Sequence, residues 1–115
     1  MGYTEARKKA QELVDSLFSG KSIEMDVFGH KVVVPIPKRY EVTHHSPFAV
    51  KVDGVVEVTR EMAIESIARS SWARGWAEGM LRAFGGPEFE KLPEEEKEKR
   101  ISEWARKLAT RVVSV

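Results

Sequence analysis

Near the start of the chain apolar residues recur at helical spacing. Ala6, Ala10, Leu13, Val14, Leu17 and Phe18 fall on one face, and Lys8, Lys9, Glu12 and Asp15 avoid it. The pattern predicts an amphipathic helix over about Thr4–Ser19, buried on one side and wet on the other. Thr4 can accept a backbone N–H as its cap, and Gly20 can take the left-handed stop position.

The period then changes to two. Ile23, Met25 and Val27 alternate with Glu24 and Asp26, and Lys31 and Val32–Ile36 follow Gly29-His30. A two-residue turn at Gly29-His30 sets Val27 opposite Val32, Met25 opposite Val34 and Ile23 opposite Ile36. Pro35 and Pro37 confine the end of this strand to an edge or a loop. A second hairpin is expected over Phe48–Val58. A three-residue loop, Val52-Asp53-Gly54, pairs Val50 with Val56 and Phe48 with Val58 on one face. Tyr40–Thr43 offers a short extra strand between the hairpins.

Helical spacing returns from about Arg60 to Phe84 as one long helix. Thr59 is its N-cap, Gly85-Gly86 its stop, and Pro87 is expected to prevent resumption. A last helix starts at Pro93, with Glu94, Glu95 and Glu96 near the positive end of its dipole and Arg106, Lys107 and Arg111 towards the other end. Its buried stripe is Ile101, Trp104, Ala105, Leu108, Ala109 and Val112. The class is therefore α+β. An N-terminal helix precedes two β-hairpins forming an antiparallel sheet, and a long central helix and a C-terminal amphipathic helix follow. Residues 1–115 form a single domain.

Composition narrows the chemistry. The absence of Cys excludes disulfides and thiolate metal sites. Asn is also absent, Gln11 is the single Gln, and charged residues reach 32%, a balance that points to a hyperthermophile. Glu5–Lys9, Glu65–Arg69, Glu78–Arg82, Glu95–Lys99, Glu96–Arg100 and Glu103–Lys107 place an acid four residues before a base, the orientation that supports helices. With a net charge of +1, bulk electrostatics give no case for nucleic acid or membrane. No stretch approaches the roughly 18 apolar residues of a membrane helix. The opening residues are no signal peptide, and Ala6 stands where myristoylation needs Ser or Thr. The expectation is a cytoplasmic protein with no cofactor and no metal.

The long helix is the most informative segment. Ile64, Ile67, Trp72, Trp76, Met80, Leu81 and Phe84 spread widely around it, and Ser71, Gly75, Gly79 and Ala83 form a small-residue track. Each interior Gly costs roughly 1 kcal/mol relative to Ala. The track fits a groove for another element of the chain, or close packing against a second subunit. On the second reading Ser71, Trp72, Gly75, Trp76, Gly79 and Ala83 form the interface of a homodimer. Trp72 and Trp76 beside Arg69 and Arg74 also suit a stacking platform for bases. Lys31, Lys38 and Arg39 extend a basic edge, or keep an exposed strand from aggregating. His44-His45-Ser46 is the cluster nearest to a catalytic sequence. Adjacent His side chains on extended chain point to opposite faces and do not readily share a metal. A Ser next to a His in sequence is not thereby a nucleophile–base pair, so a polar surface loop is the plainer reading. Glu24 and Asp26 read as a solvated strand face and His30 as a hairpin tip. P-loop, dinucleotide-glycine, HExxH and zinc-finger spacings are all missing. The leading function is a non-enzymatic, homo-oligomeric binding or assembly module. The first alternative is a nucleic-acid-binding regulator; the second is a small hydrolase or metal-dependent enzyme centred on His44, His45 and Ser46.

Overall fold

A computed structural model describes residues 2–44, 46–54 and 56–114, with the side chains of Val14 and Val56 outside that description. Helix α1 spans Tyr3–Leu17, followed by strands β1 (Phe18–Val27) and β2 (His30–Pro37). A 3-10 turn over Lys38–Tyr40 leads to β3 (Val42–His44), β4 (Ala49–Val52) and β5 (Val56–Thr59). Helices α2 (Arg60–Ala68), α3 (Ser71–Phe84), α4 (Gly86–Glu90) and α5 (Glu94–Ser114) complete an α+β chain. The two hairpins do not share one sheet. β1 and β2 form a two-stranded sheet, and the short strand expected between the hairpins joins the other as β3-β4-β5.

Both hairpins are shifted from their expected registers, and both keep their apolar face. In the first, Phe28 and Gly29 take φ of 51° and 84°, so the turn lies one residue earlier than expected. Positive φ at both central positions is the type I′ signature, which matches the twist of paired strands. Val27 faces His30, Met25 faces Val32 and Ile23 faces Val34. Partners move by two residues, and two is the side-chain period, so Ile23, Met25, Val27, Val34 and Ile36 all remain buried. Asp26 fastens the turn by accepting the Gly29 N–H at 2.9 Å. In the second hairpin Val50 faces Val58 and Val52 faces Val56, because Asp53 and Gly54, at φ of 54° and 67°, begin the reversal after Val52. Phe48 precedes β4 and stays 83% exposed instead of pairing.

The expected long helix is divided. Ser70 is extended, with φ −67° and ψ 151°, and caps α3 by accepting the Ala73 N–H at 3.2 Å. Its hydroxyl also donates to the Ile67 carbonyl at 2.6 Å. Serine competes with helical hydrogen bonds in this way, and the break lets α2 and α3 both pack along α5. Pro87 does not prevent resumption; it occupies the first turn of α4, where a missing N–H is harmless. Gly85 is obligatory at that junction, since a Cβ would lie 2.3 Å from the Leu81 carbonyl oxygen. Helix α5 buries Ile101, Ala105, Leu108, Ala109 and Val112 as expected, together with Val113, and Trp104 lies half-buried beside them. Ala63, Ala73, Ala77, Ala105 and Ala109 are also buried, and their size lets the helices approach closely.

Helix α1 departs most from expectation. All its described side chains are exposed, including Leu13 at 61% and Leu17 at 55%, so Ala6, Ala10, Leu13 and Leu17 do not join the core. Val14, expected on the same face, has its side chain outside the described residues. The chain passes from Leu17 into β1 with no connecting loop that would reverse it. Gly20, at φ 85°, sits at an irregularity within β1 rather than ending the helix. The helix touches chiefly β1 and the 3-10 turn.

Candidate functional site

Helix α3 sorts its residues into distinct rows. Ala73, Ala77 and Leu81 face inward and are buried. Ser71, Gly75, Gly79 and Ala83 lie two residues out of phase, about 200° around the helix, and are exposed. Among the described residues, no atom from another element lies within 4 Å of a Cβ built on Gly75 or Gly79. Close packing inside the chain therefore runs along Ala73 and Ala77, and the glycine track faces outward.

Trp72 and Trp76 lie on the row between. Both are half-buried and packed on the core, Trp72 stacked on Tyr40 at 5.4 Å and Trp76 tilted against Trp104 at 6.5 Å. The six residues named as one interface thus divide between an outward row of small residues and an inward pair of indoles. Trp104 is also covered, by Phe28 at 5.5 Å and by the Lys107 ammonium at 4.2 Å. The rings that suggested a base-stacking platform have intramolecular partners.

The basic candidates come from separate elements. Lys31 of β2 lies 3.7 Å from Glu24. Lys38 and Arg39 are in the 3-10 turn, with the Arg39 guanidinium 5.7 Å from the centre of the Tyr40 ring. Arg69 lies 3.5 Å from Glu65, and Arg74 of α3 pairs with Glu98 of α5. Other charges form networks between helices. Arg106 of α5 engages Glu65 and Glu61 of α2, and Arg82 of α3 meets Glu78 at 2.8 Å and Glu90 of α4 at 2.6 Å. The hydrogen bond from Arg106, and then its charge, hold the Glu65 carboxyl below its ordinary pKa, and the same contact raises the Arg106 guanidinium. These shifts belong to exposed struts between helices; no general acid or base is poised by them.

His44 is exposed at the end of β3, with Nδ1 3.2 Å from Arg60 Nη2. His45 lies outside the described residues. Ser46 acts as a turn residue, its hydroxyl accepting the N–H groups of Ala49 at 3.0 Å and Phe48 at 3.3 Å. Among the described residues no three His, Cys, Asp or Glu come together as a metal site, and no helix is long and apolar enough to cross a membrane. A recess of about 360 Å³ lies between the first hairpin turn and α4, walled by Phe28, Leu81, Phe84, Phe89 and Leu92.

The apolar face expected in the core but left exposed is that of α1. Tyr3, Ala6, Ala10, Leu13 and Leu17 repeat at alternating spacings of three and four, the heptad pattern of a helix that packs against another helix. Tyr3 is 79% exposed. The spacing is legible in the sequence; the exposure of every described side chain along the helix is not. No family model, curated protein or solved structure matches the chain, so its role has to be argued from its own residues.

Proposed function

We propose that the chain is a non-enzymatic assembly module that works as a homo-oligomer, with the dimer as its basic unit. The carrying observation is the apolar face of α1, which no described residue buries. A helix of 15 residues is marginal in water unless an amphipathic face is packed. The proportions of the molecule support the same reading. Its radius of gyration is 16.3 Å, against about 13 Å for a compact chain of this length. It exposes 7790 Å², whereas a compact 13.0 kDa protein exposes about 6,300 Å². The excess of about 1,400 Å² on one chain is more than the roughly 800 Å² that each partner buries in a standard interface.

The rival readings draw on less. A nucleic-acid role rests on Lys31, Lys38, Arg39, Arg69 and Arg74, of which Lys31, Arg69 and Arg74 face carboxylates. A hydrolase or metal enzyme rests on His44, His45 and Ser46, where the Ser46 hydroxyl is engaged with backbone. The networks around Arg82 and Arg106 suit a protein adapted to heat, where linked ion pairs stabilise more than isolated ones. Light scattering coupled to size exclusion tests the proposal. A mass near twice 13.0 kDa is expected at tens of micromolar, and a mass of 13.0 kDa would reject it.

A further inference from the structure

We infer that the recess beside the first hairpin turn binds a free α-amino acid with a large apolar side chain. The recess holds about 360 Å³, near the lower end of the range for small-ligand sites. Of its walls, Leu81 and Phe89 are buried, while Phe28 and Phe84 stay exposed. Each exposed ring is braced by another, Phe28 by Trp104 at 5.5 Å and Phe84 by His30 at 4.5 Å, so the apolar walls are formed in advance. Phe28 adds a second observation. It takes φ of 51° where a type I′ turn favours Asn, Asp or Gly. A bulky residue at positive φ is a backbone outlier, and such outliers gather at ligand clamps. Here the strained turn sets its ring against the recess. Charge selects the occupant. Glu88 of α4 and Arg100 of α5 also line the recess. Among the described residues neither makes an ion pair, with the other or with a third group. Glu96, expected to pair with Arg100, does not, and Arg100 lies along the recess instead. The site therefore offers one unpaired anion and one unpaired cation beside apolar walls. A simple carboxylic acid meets Arg100 but is repelled by Glu88, and a simple amine meets the reverse. An α-amino acid carries both charges on one carbon. Its carboxylate accepts from the Arg100 guanidinium, its ammonium donates to the Glu88 carboxylate, and its side chain enters among the rings. This does not depend on how the chain associates.

The test titrates isotope-labelled full-length protein with L-phenylalanine and follows backbone amide shifts. Saturable shifts are expected at Phe28, Gly85, Phe89 and Leu92, which line the recess, and the amides of α1 should not move. Phenylpropanoate lacks the ammonium and phenylethylamine lacks the carboxylate, and each should bind at least about tenfold more weakly. Arg100→Gln is expected to remove the preference for L-phenylalanine over phenylethylamine, and Glu88→Gln the preference over phenylpropanoate. Both residues are exposed and make no ion pair among the described residues, so the variants keep the fold, and the amides of α2 check that. Equal binding of the three compounds would make the recess an unselective apolar hollow and overturn the inference. Shifts confined to other parts of the chain, no saturable shift in the millimolar range, or preferences unchanged in both variants would overturn it as well.

Discussion

Replacing Leu13 and Leu17 together by Glu is expected to convert the dimer into a monomer without unfolding it. Both side chains are more than half exposed in the single chain, so the monomer loses no core contact. In the dimer each would be buried in the seam, a gain of about 1.5–3 kcal/mol per side chain at full burial. A dimer of the variant lacks four such side chains, two from each chain, so association weakens by about four orders of magnitude or more. Sedimentation equilibrium reads the change, and far-ultraviolet circular dichroism shows whether the helical content survives. A dimer of unchanged affinity would exclude α1 from the interface. Collapse of the whole fold would show that α1 supports its own chain.

Leu108→Ala has the opposite signature: an intact subunit interface and a much weaker fold. Leu108 is fully buried in α5, within the cluster that joins α2, α3 and the first hairpin. Removing a buried leucine side chain costs its transfer free energy and leaves a cavity, together about 2–5 kcal/mol. In a domain of this size each kcal/mol corresponds to a fall of roughly 4–8 °C in Tm. Denaturant unfolding followed by tryptophan fluorescence measures it, with Trp104 on the same helix as a local reporter. A cost below about 1 kcal/mol would mean that α5 does not form the centre of the core.

The sequence was most legible where a pattern and a local signal coincided. The α5 stripe has a regular spacing and an acidic start, and it is buried as expected. Strand alternation identified the inward faces of both hairpins but not their registers, because partners shifted by two residues satisfy the same alternation. Positive φ at Phe28 decided the first turn, and nothing in a phenylalanine announces it. The break at Ser70 was hidden by helix-compatible residues on both sides; the only signal is the serine pair Ser70-Ser71, each able to compete with the backbone. In α3 two small-residue rows interleave. Glycine drew attention to Gly75 and Gly79, yet the row that packs inside the chain is Ala73 and Ala77. The amphipathic stripe of α1 was plain to see and wrongly assigned to the core. Periodicity identifies a face that needs cover without naming the element that covers it, in the same chain or in another.

Hydrogen exchange on the backbone amides of α1 tests the central claim most directly, because it asks whether the helix is covered in solution. A lone helix of 15 residues opens readily, so protection of its amides must come from packing. Across a concentration series that spans the dimer midpoint, exchange over Ala10–Leu17 is expected to slow progressively, while the α5 core amides stay equally protected throughout. Rapid exchange in α1 that is independent of concentration, and identical in the Leu13→Glu, Leu17→Glu variant, would contradict it.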